Sequence, residues 1–457
     1  MTKLFGTNGI RGIVNQDMNT DLALGIGKAW GTYLKNKLET PKIAIGTDAR
    51  LSNNMLKNAL SAGLNATGCN VTDLGVVPTP CLQFYVRKKD FDSGVIITAS
   101  HNPPEFNGIK GVTSDGREFT KDIEEEIEQI YFNREYSLVD WEKIGKIEKV
   151  EDTVDFYLEG ILKQINVKFI KKQNFHVVLD CGNGAGSIAT PKLLEKLGCK
   201  IDLLNCKLDG RFPGRKSEPT PENLDGLIKT VKKINPDFGV AQDGDADRAI
   251  FVDEKGNYIW GDKTLSIAAK YIVKKDDKVV TPITTSSCFD DVVKSCGGKV
   301  IRTLVGSPTV AKVMAEENAV FGGEENGGLI FPDMQYSRDS AMAIAKILEI
   351  MAEKEKTLSE LVEEIPKYEM YKTKIPCSNN KKERIMKKLV EIVDSPDILK
   401  IDRTDGIKIY FKEGWTLIRP SGTEPIIRIY SESKNSETAE KLSREYKEIA
   451  GRIIEEM

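Results

Sequence analysis

The feature that most constrains this chain is a rhythm: short apolar runs alternate with amphipathic helical stretches over most of its 457 residues. Residues 42–46 read as a strand and 51–66 as a helix; 70–74 form a further strand, followed by a turn at Pro78-Thr79-Pro80. The pattern restarts at 176–180, entering the Gly-rich turn Gly182-Asn183-Gly184-Ala185-Gly186 and a helix to Leu197. It restarts again with a strand at 278–280 and a helix around 289–295. Such a βα succession predicts α/β units with covered sheets. The last part differs. After a helix beginning near Arg338, a helix over 358–364 and a break at Pro366, the pattern predicts a strand at 369–375 and a helix over 381–393. A hairpin-like pair at 406–411 and 415–419, a strand at 426–431 and a helix from Ser436 complete an α+β layout. At roughly 150 residues per domain the length allows three or four. The boundaries fall at 1–150, 151–255, 256–366 and 367–457.

One device recurs. Val95-Ile96-Ile97 runs into Ser100, Phe238-Gly239-Val240 into Asp243, and Ala319-Val320-Phe321 into Glu324. In open α/β sheets ligands bind beyond the carboxyl ends of strands. The first of these loops, Thr98-Ala99-Ser100-His101-Asn102-Pro103-Pro104, presents a serine on a segment that two prolines stiffen. Asn107-Gly108-Ile109-Lys110 brings a lysine near it.

Composition excludes several classes. Sixty-six basic and 69 acidic residues give a net charge of -3, which makes no electrostatic case for nucleic acid or a membrane surface. No signal segment or apolar run of transmembrane length is present, so the expected location is the cytoplasm. The eight cysteines form no C-x-x-C pair and read as reduced, mostly buried residues. The two histidines, His101 and His176, argue against a Ser-His-Asp hydrolase. His176 lies in a strand-like run, and His101 adjoins Ser100, where successive side chains of an extended chain diverge.

Asp243-Gly244-Asp245-Ala246-Asp247-Arg248 crowds three carboxylates. Like charges ~4 Å apart repel by about 1 kcal/mol in water and more where water is excluded, so the cluster calls for a cation or an exposed surface. The small spacers Gly244 and Ala246 let the backbone curl until all three acids meet one ion, and oxygen-only ligands suit Mg²⁺. An EF-hand loop starting at Asp243 is excluded, because its sixth position is Arg248 instead of the turn-making glycine. A D-x-D phosphatase nucleophile at Asp243 stays open, although it leaves the other loops unexplained.

Three further loops carry chemistry. Gly322-Gly323-Glu324-Glu325-Asn326-Gly327-Gly328 offers carboxylate and amide groups suited to sugar hydroxyls. Arg419-Pro420-Ser421-Gly422-Thr423-Glu424-Pro425, with Arg428 beyond, offers a guanidinium, hydroxyls and backbone N–H groups suited to a phosphate. Gly6-Thr7-Asn8-Gly9-Ile10-Arg11-Gly12 is another Gly-rich turn with one arginine.

Together the loops T-A-S-H-N-P-P, D-G-D-A-D-R, G-E-E-N-G-G and R-P-S-G-T-E-P, in that order, closely resemble the signature loops of the α-D-phosphohexomutases. The resemblance covers essentially the whole chain. It implies three related α/β domains with mixed sheets plus a C-terminal α+β domain around one central cleft. It implies Ser100 as a phosphorylated serine, and Asp243, Asp245 and Asp247 holding one Mg²⁺ together with an oxygen of that phosphoserine. Lys110 becomes the acid/base candidate, with Arg11, His101 and Arg248 around the transferring group. Glu324 and Asn326 would grip sugar hydroxyls, and Arg419, Ser421, Gly422 and Thr423 the phosphate not being transferred. The implied reaction interconverts sugar 6- and 1-phosphates through a hexose 1,6-bisphosphate, which also serves as activator. The implied partners are small sugar phosphates. Oligomeric state is not implied.

Two departures matter. Many phosphomannomutase/phosphoglucomutases end the sugar loop with a histidine, where this chain has Gly328. The loop also differs from G-E-M-S-G and from the usual bacterial phosphoglucosamine form. The opening Lys3-Leu4-Phe5-Gly6-Thr7 and the Ile97-Thr98-Ala99-Ser100 run are most similar to archaeal-type members. The expected substrate is accordingly glucosamine phosphate. The alternatives are a phosphomannomutase/phosphoglucomutase and, from another class, a non-catalytic sugar-phosphate sensor.

Overall fold

The computed structural model describes residues 4–6, 8–392, 397–421 and 425–456 of the chain. Four sheets follow one another along the sequence. The first has six strands in the order Ile10–Ile13, Phe106–Thr113, Ser93–Ile97, Lys42–Thr47, Asn70–Val76, Ile147–Lys149. Lys42–Thr47 pairs in parallel with both Asn70–Val76 and Ser93–Ile97, while Phe106–Thr113 returns antiparallel beside Ser93–Ile97. Both faces are covered. Val95 and Ile97 pack into one cluster with Trp30, whereas Ile96 packs into another with Leu82 and Val112. Burial on both faces explains why this strand reads as a continuous apolar run without alternation.

The second sheet, Tyr258–Ile259, Ala249–Asp253, Phe238–Gln242, His176–Asp180, Lys200–Leu204, is likewise mixed. So is the third, Lys299–Thr303, Lys278–Pro282, Phe321–Glu324, Gly328–Ile330. The fourth is wholly antiparallel: Glu369–Pro376, Ile426–Ser433, Gly414–Pro420, Ile407–Phe411, Ile398–Asp402. One hydrophobic cluster runs from Ala44 through Phe238 to Ile365 and so joins the first three sheets, while the fourth unit has a core of its own. A small seam of Ile283, Trp415 and Leu417 ties the fourth unit to the third. There the buried Lys408 lies 3.6 Å over the Trp415 ring and donates to the Ile283 carbonyl at 2.7 Å. Burial, with Arg302 adding to it, pushes the Lys408 ammonium down to about 7.

Local readings shift in physical ways. The turn expected at Pro78-Thr79-Pro80 is the start of the helix Thr79–Lys88, because proline in the first turn lacks only an N–H that would be unpaired there. The helix expected over 51–66 begins at Asn53. The helix expected to run to Leu197 is a 3-10 turn, Ala185–Ile188, followed by Thr190–Lys196. The strand Ile398–Asp402 was not expected; it is an edge strand with Leu399 turned to solvent, so its apolar residues do not alternate with the sheet. All eight cysteines are free. Among the described residues, no helix is long and apolar enough to cross a membrane.

Candidate active site

Ser100 follows the strand Ser93–Ile97 in the left-handed conformation, with φ 50. That conformation costs a non-glycine residue roughly 1–3 kcal/mol and persists only where its surroundings over-determine it. They do so here. The Ser100 N–H donates to Thr98 Oγ1 at 2.8 Å, and Thr98 Oγ1 donates in turn to Asp48 Oδ2 at 2.6 Å. The buried Arg50 donates to four carbonyls of the same loop: Ser100 at 2.9 Å, Asn102 at 2.6 Å, Pro103 at 2.6 Å and Phe106 at 2.7 Å. Arg50 is itself held by Asp48 at 3.1 Å. Arg50→Lys removes the planar fork that reaches these acceptors. With Ser100 as the reacting group that the sequence resemblance implies, it should lower kcat by on the order of 10²-fold, the cost of misplacing such a group by about 1 Å. Steady-state kinetics beside a thermal melt check this, and an unchanged kcat with a lowered Tm would show that the clamp serves stability alone.

The acidic loop meets the serine from the second unit. It is a turn between Phe238–Gln242 and Ala249–Asp253, with Ala246 left-handed at φ 57. The loops touch closely: a Cβ on Gly244 would lie 2.6 Å from the Ser100 carbonyl oxygen. One carboxylate oxygen from each of Asp243, Asp245 and Asp247 lies within 4.8 Å of the others, and all three residues are buried. Ser100 Oγ donates to Asp243 Oδ2 at 3.0 Å. Lys110, on the strand Phe106–Thr113, places its buried Nζ 2.9 Å from Asp245 Oδ2 and 4.0 Å from Asp247 Oδ2. Thr79 Oγ1 donates to Asp245 Oδ2 at 2.7 Å. Burial, then the charges of Asp247 and Asp245, push the Asp243 carboxyl up to about 8. Burial also acts on Asp245, but Lys110 and the Thr79 hydroxyl outweigh it and hold that carboxyl well below its usual range. Asp245 Oδ1 and Asp247 Oδ1 are buried and accept no hydrogen bond. A buried carboxylate oxygen without a hydrogen bond is costly. Asp247 Oδ1 has only an ion pair to Arg248 Nε at 3.5 Å, and Asp245 Oδ1 has no partner. Converging oxygen donors are the set a hard cation takes, so these residues fit a metal ion.

Cations ring the serine. Arg248 Nη2 lies 3.5 Å from Ser100 Oγ and donates to His101 Nδ1 at 2.6 Å. A guanidinium can only donate, so Nδ1 is an acceptor and the His101 proton sits on Nε2. Burial, followed by Arg248 and Arg11, keeps the imidazole neutral far below its ordinary range. Arg248 Nε stands 3.5 Å from both Asp243 Oδ2 and Asp247 Oδ1. Arg11 Nη1 donates to Asn102 Oδ1 at 2.9 Å, and its Nε is buried without a partner.

The other loops are placed differently. Glu324 ends the strand Phe321–Glu324, is 2% exposed, and is paired with Arg338 at 2.6 Å. Asn326 occupies the hairpin turn, and its Oδ1 accepts from the Gly328 N–H at 3.2 Å. Arg419 ion-pairs with Asp405 at 3.0 Å. Asp405 also accepts from the Val305 N–H at 3.0 Å, so the Arg419 side of the fourth unit reaches the third. The buried Ser421 carbonyl accepts from Lys382 Nζ at 2.5 Å. Gly422 and Thr423 lie outside the described residues.

Comparison with known proteins gives this geometry a context. Family models for phosphoglucomutase/phosphomannomutase alpha/beta/alpha domains I, II and III match residues 2–137, 155–256 and 260–368, and that for the C-terminal domain matches 373–449. The chain belongs to this family of α-D-phosphohexomutases. A phosphoglucomutase/phosphomannomutase of Thermococcus kodakarensis is 47% identical, over 100% of this chain and 99% of its own. A probable phosphoglucosamine mutase of Methanopyrus kandleri is 40% identical over 100% of both chains. A phosphoglucosamine/phosphogalactosamine mutase of Sulfurisphaera tokodaii is 41% identical, over 98% of this chain and 99% of its own. Among solved structures, a phosphoglucomutase/phosphomannomutase family protein of Burkholderia thailandensis superposes with a TM-score of 0.89 at 25% identity, covering 99% of this chain and 97% of that one. The protein is therefore a mutase, an isomerase of the phosphohexomutase family.

In this phosphohexomutase, Ser100, Lys110, His101, Arg11, Arg248 and the three aspartates converge, contributed by the first two units. Sequence reasoning missed Arg50, Asp48, Thr79 and Arg338. Asp48 and Arg50 sit just past the strand Lys42–Thr47, the place where the recurrent device put its other loops, and that position was the available signal. Nothing local marks Thr79, whose partner Asp245 lies 166 residues away, or Arg338, which reaches Glu324 14 residues away and Asp247 91 residues away.

Proposed function

We propose that this phosphohexomutase interconverts glucosamine 6-phosphate and glucosamine 1-phosphate through a phosphorylated Ser100 and a 1,6-bisphosphate. The observation that carries the reading is the buried Ser100 hydroxyl, 3.0 Å from Asp243, within a cluster whose other two carboxylates each keep a buried oxygen that accepts no hydrogen bond. Phosphoryl transfer needs positioning and charge stabilisation above all. Asp243, Asp245 and Asp247 would hold one Mg²⁺, which supplies charge neutralisation for the phosphoryl oxygens.

The chain's own residues do the rest. Arg11 and Arg248 draw the phosphoryl group toward Ser100. In the first half the P–Oγ bond of phosphoserine breaks as a sugar oxygen bonds to phosphorus. Lys110 is the acid/base candidate that takes the proton of the attacking hydroxyl and returns it to the departing Ser100 Oγ. In the second half the bisphosphate, turned end for end, gives its other phosphoryl group back to Ser100 by the reverse proton movement. The hexose bisphosphate is thus both intermediate and activator. Glu324 and Asn326 would accept from and donate to sugar hydroxyls, and Arg419, Ser421, Gly422 and Thr423 would hold the distal phosphate.

Two relatives near 40% identity carry phosphoglucosamine in their names, which supports the aminosugar. The 47% relative named for glucose and mannose phosphates supports the second reading, a phosphomannomutase/phosphoglucomutase. Nothing comparable supports the sensor. The deciding measurement is kcat/KM on glucosamine, glucose and mannose phosphates. Glucosamine phosphate should lead, and a tenfold lead by either other sugar, about 1.4 kcal/mol, would move the assignment to the second reading. Glu324→Ala should depress kcat/KM about 10–100-fold on every accepted sugar, since a buried polar contact left unpaired costs about 1–3 kcal/mol. A loss confined to one sugar would contradict the shared-hydroxyl role.

A further inference from the structure

Arg338 belongs to none of the four signature loops. It precedes the helix Ser340–Lys354, is 6% exposed, and its backbone pairs with Ile330 of the sugar-loop hairpin. Its two terminal nitrogens serve different loops: Nη1 donates to Glu324 Oε2 at 2.6 Å and Nη2 to Asp247 Oδ2 at 2.5 Å. The other Glu324 oxygen accepts from the Gly306 N–H at 3.2 Å. Space for this side chain comes from Gly328. A Cβ there would overlap Arg338 Cδ and stand 2.9 Å from Cγ, so the arginine runs through the volume that a side chain at 328 would fill. Burial opposes the charge of Arg338, but Asp247 and Glu324, with Glu118 and Asp243 behind them, more than offset it.

We propose that Arg338 is a positioning residue that locks the Glu324 carboxylate to the Asp247 carboxylate, and that Gly328 is the vacancy which admits it. The proposal rests on the reading of Glu324 as a sugar-hydroxyl acceptor. A carboxylate has about four acceptor sites. Arg338 and Gly306 occupy two from the protein side, which leaves Glu324 two for a pair of hydroxyls and only one orientation in which to offer them. A lysine cannot replace this fork, because a single ammonium does not span two diverging carboxylates.

The test is a double-mutant cycle on Arg338→Met and Gly328→Ala, with Arg338→Lys alongside. The probes are glucosamine 6-phosphate, glucose 1-phosphate and mannose 1-phosphate, with thermal melts on every variant. Arg338→Met should raise KM about tenfold or more on each accepted sugar. Gly328→Ala should do the same, because its methyl group displaces the arginine. The double variant should be no worse than Arg338→Met alone, since coupled residues do not add. Arg338→Lys should recover only part of the loss. A purely structural role would instead lower the active fraction and kcat at an unchanged KM. Parental KM in Arg338→Met, or losses that multiply in the double variant, would overturn the proposal. If the parent turns over none of the three probes, the mutase reading falls. Calorimetric affinities for the same probes across the cycle then decide the Arg338 question by the same criterion.

Discussion

Ser100→Ala should fold like the parent and lose mutase turnover by ~10⁴-fold or more, about 5.5 kcal/mol at 1.36 kcal/mol per decade. The substitution removes the oxygen that would carry the phosphoryl group. It leaves the backbone bonds to Thr98 and Arg50 intact, because those use the Ser100 N–H and carbonyl. The stability cost is that of one hydroxyl–carboxylate contact, on the order of 1 kcal/mol. The assay is turnover with glucose 1,6-bisphosphate present, beside intact-mass analysis for phosphate on the parent enzyme. A near-parental rate would sink the phosphoserine route and pass the nucleophile's role to Asp243, the carboxylate 3.0 Å away.

Asp245→Asn should weaken Mg²⁺ binding and the rate together, by ~10²-fold or more in metal affinity, at least the loss that follows even from disturbing a ligand's supporting contacts. The position is central. Its Oδ2 takes both Lys110 and Thr79, and its Oδ1 is buried with no partner. An amide keeps the shape and removes the charge, so Lys110 loses its closest counterion as well. Calorimetric Mg²⁺ titration and activity after chelation read the two effects separately. Full activity in chelated parent protein would overturn the metal assignment.

What could be read from the sequence was set by how local its cause is. The runs Val95-Ile96-Ile97 and Phe238-Gly239-Val240 announce buried strands because both faces are covered, and each run delivers its loop at the strand's carboxyl end. The curl of the acidic loop was legible in its small spacers, and Ala246 takes the left-handed turn that this requires. The edge strand Ile398–Asp402 was not, because half-exposed residues leave no clean alternation. The supporting side chains were hidden for a different reason. Arg50, Thr79 and Arg338 act on loops far along the chain, and a single arginine or threonine carries no mark of a partner that only the tertiary fold supplies. Gly328 shows the same limit from the other side. In the sequence it is a missing side chain; in the structure it is room for Arg338.

The left-handed backbone at Ser100 has a consequence for how such a site is maintained. Glycine adopts that conformation without steric cost, so on conformational grounds alone the favoured residue at this position is the one that cannot carry a phosphoryl group. Stability and chemistry therefore pull position 100 in opposite directions. Arg50, Thr98 and Asp48 would reconcile them, since they hold the strained turn through the Ser100 N–H and carbonyl and none of the three engages its hydroxyl. In a chain relieved of the proposed reaction, the conformational preference that remains at this turn is for glycine. On the proposed phosphoserine role, the residue at position 100 would then tell a working chain of this fold from one that has lost the reaction.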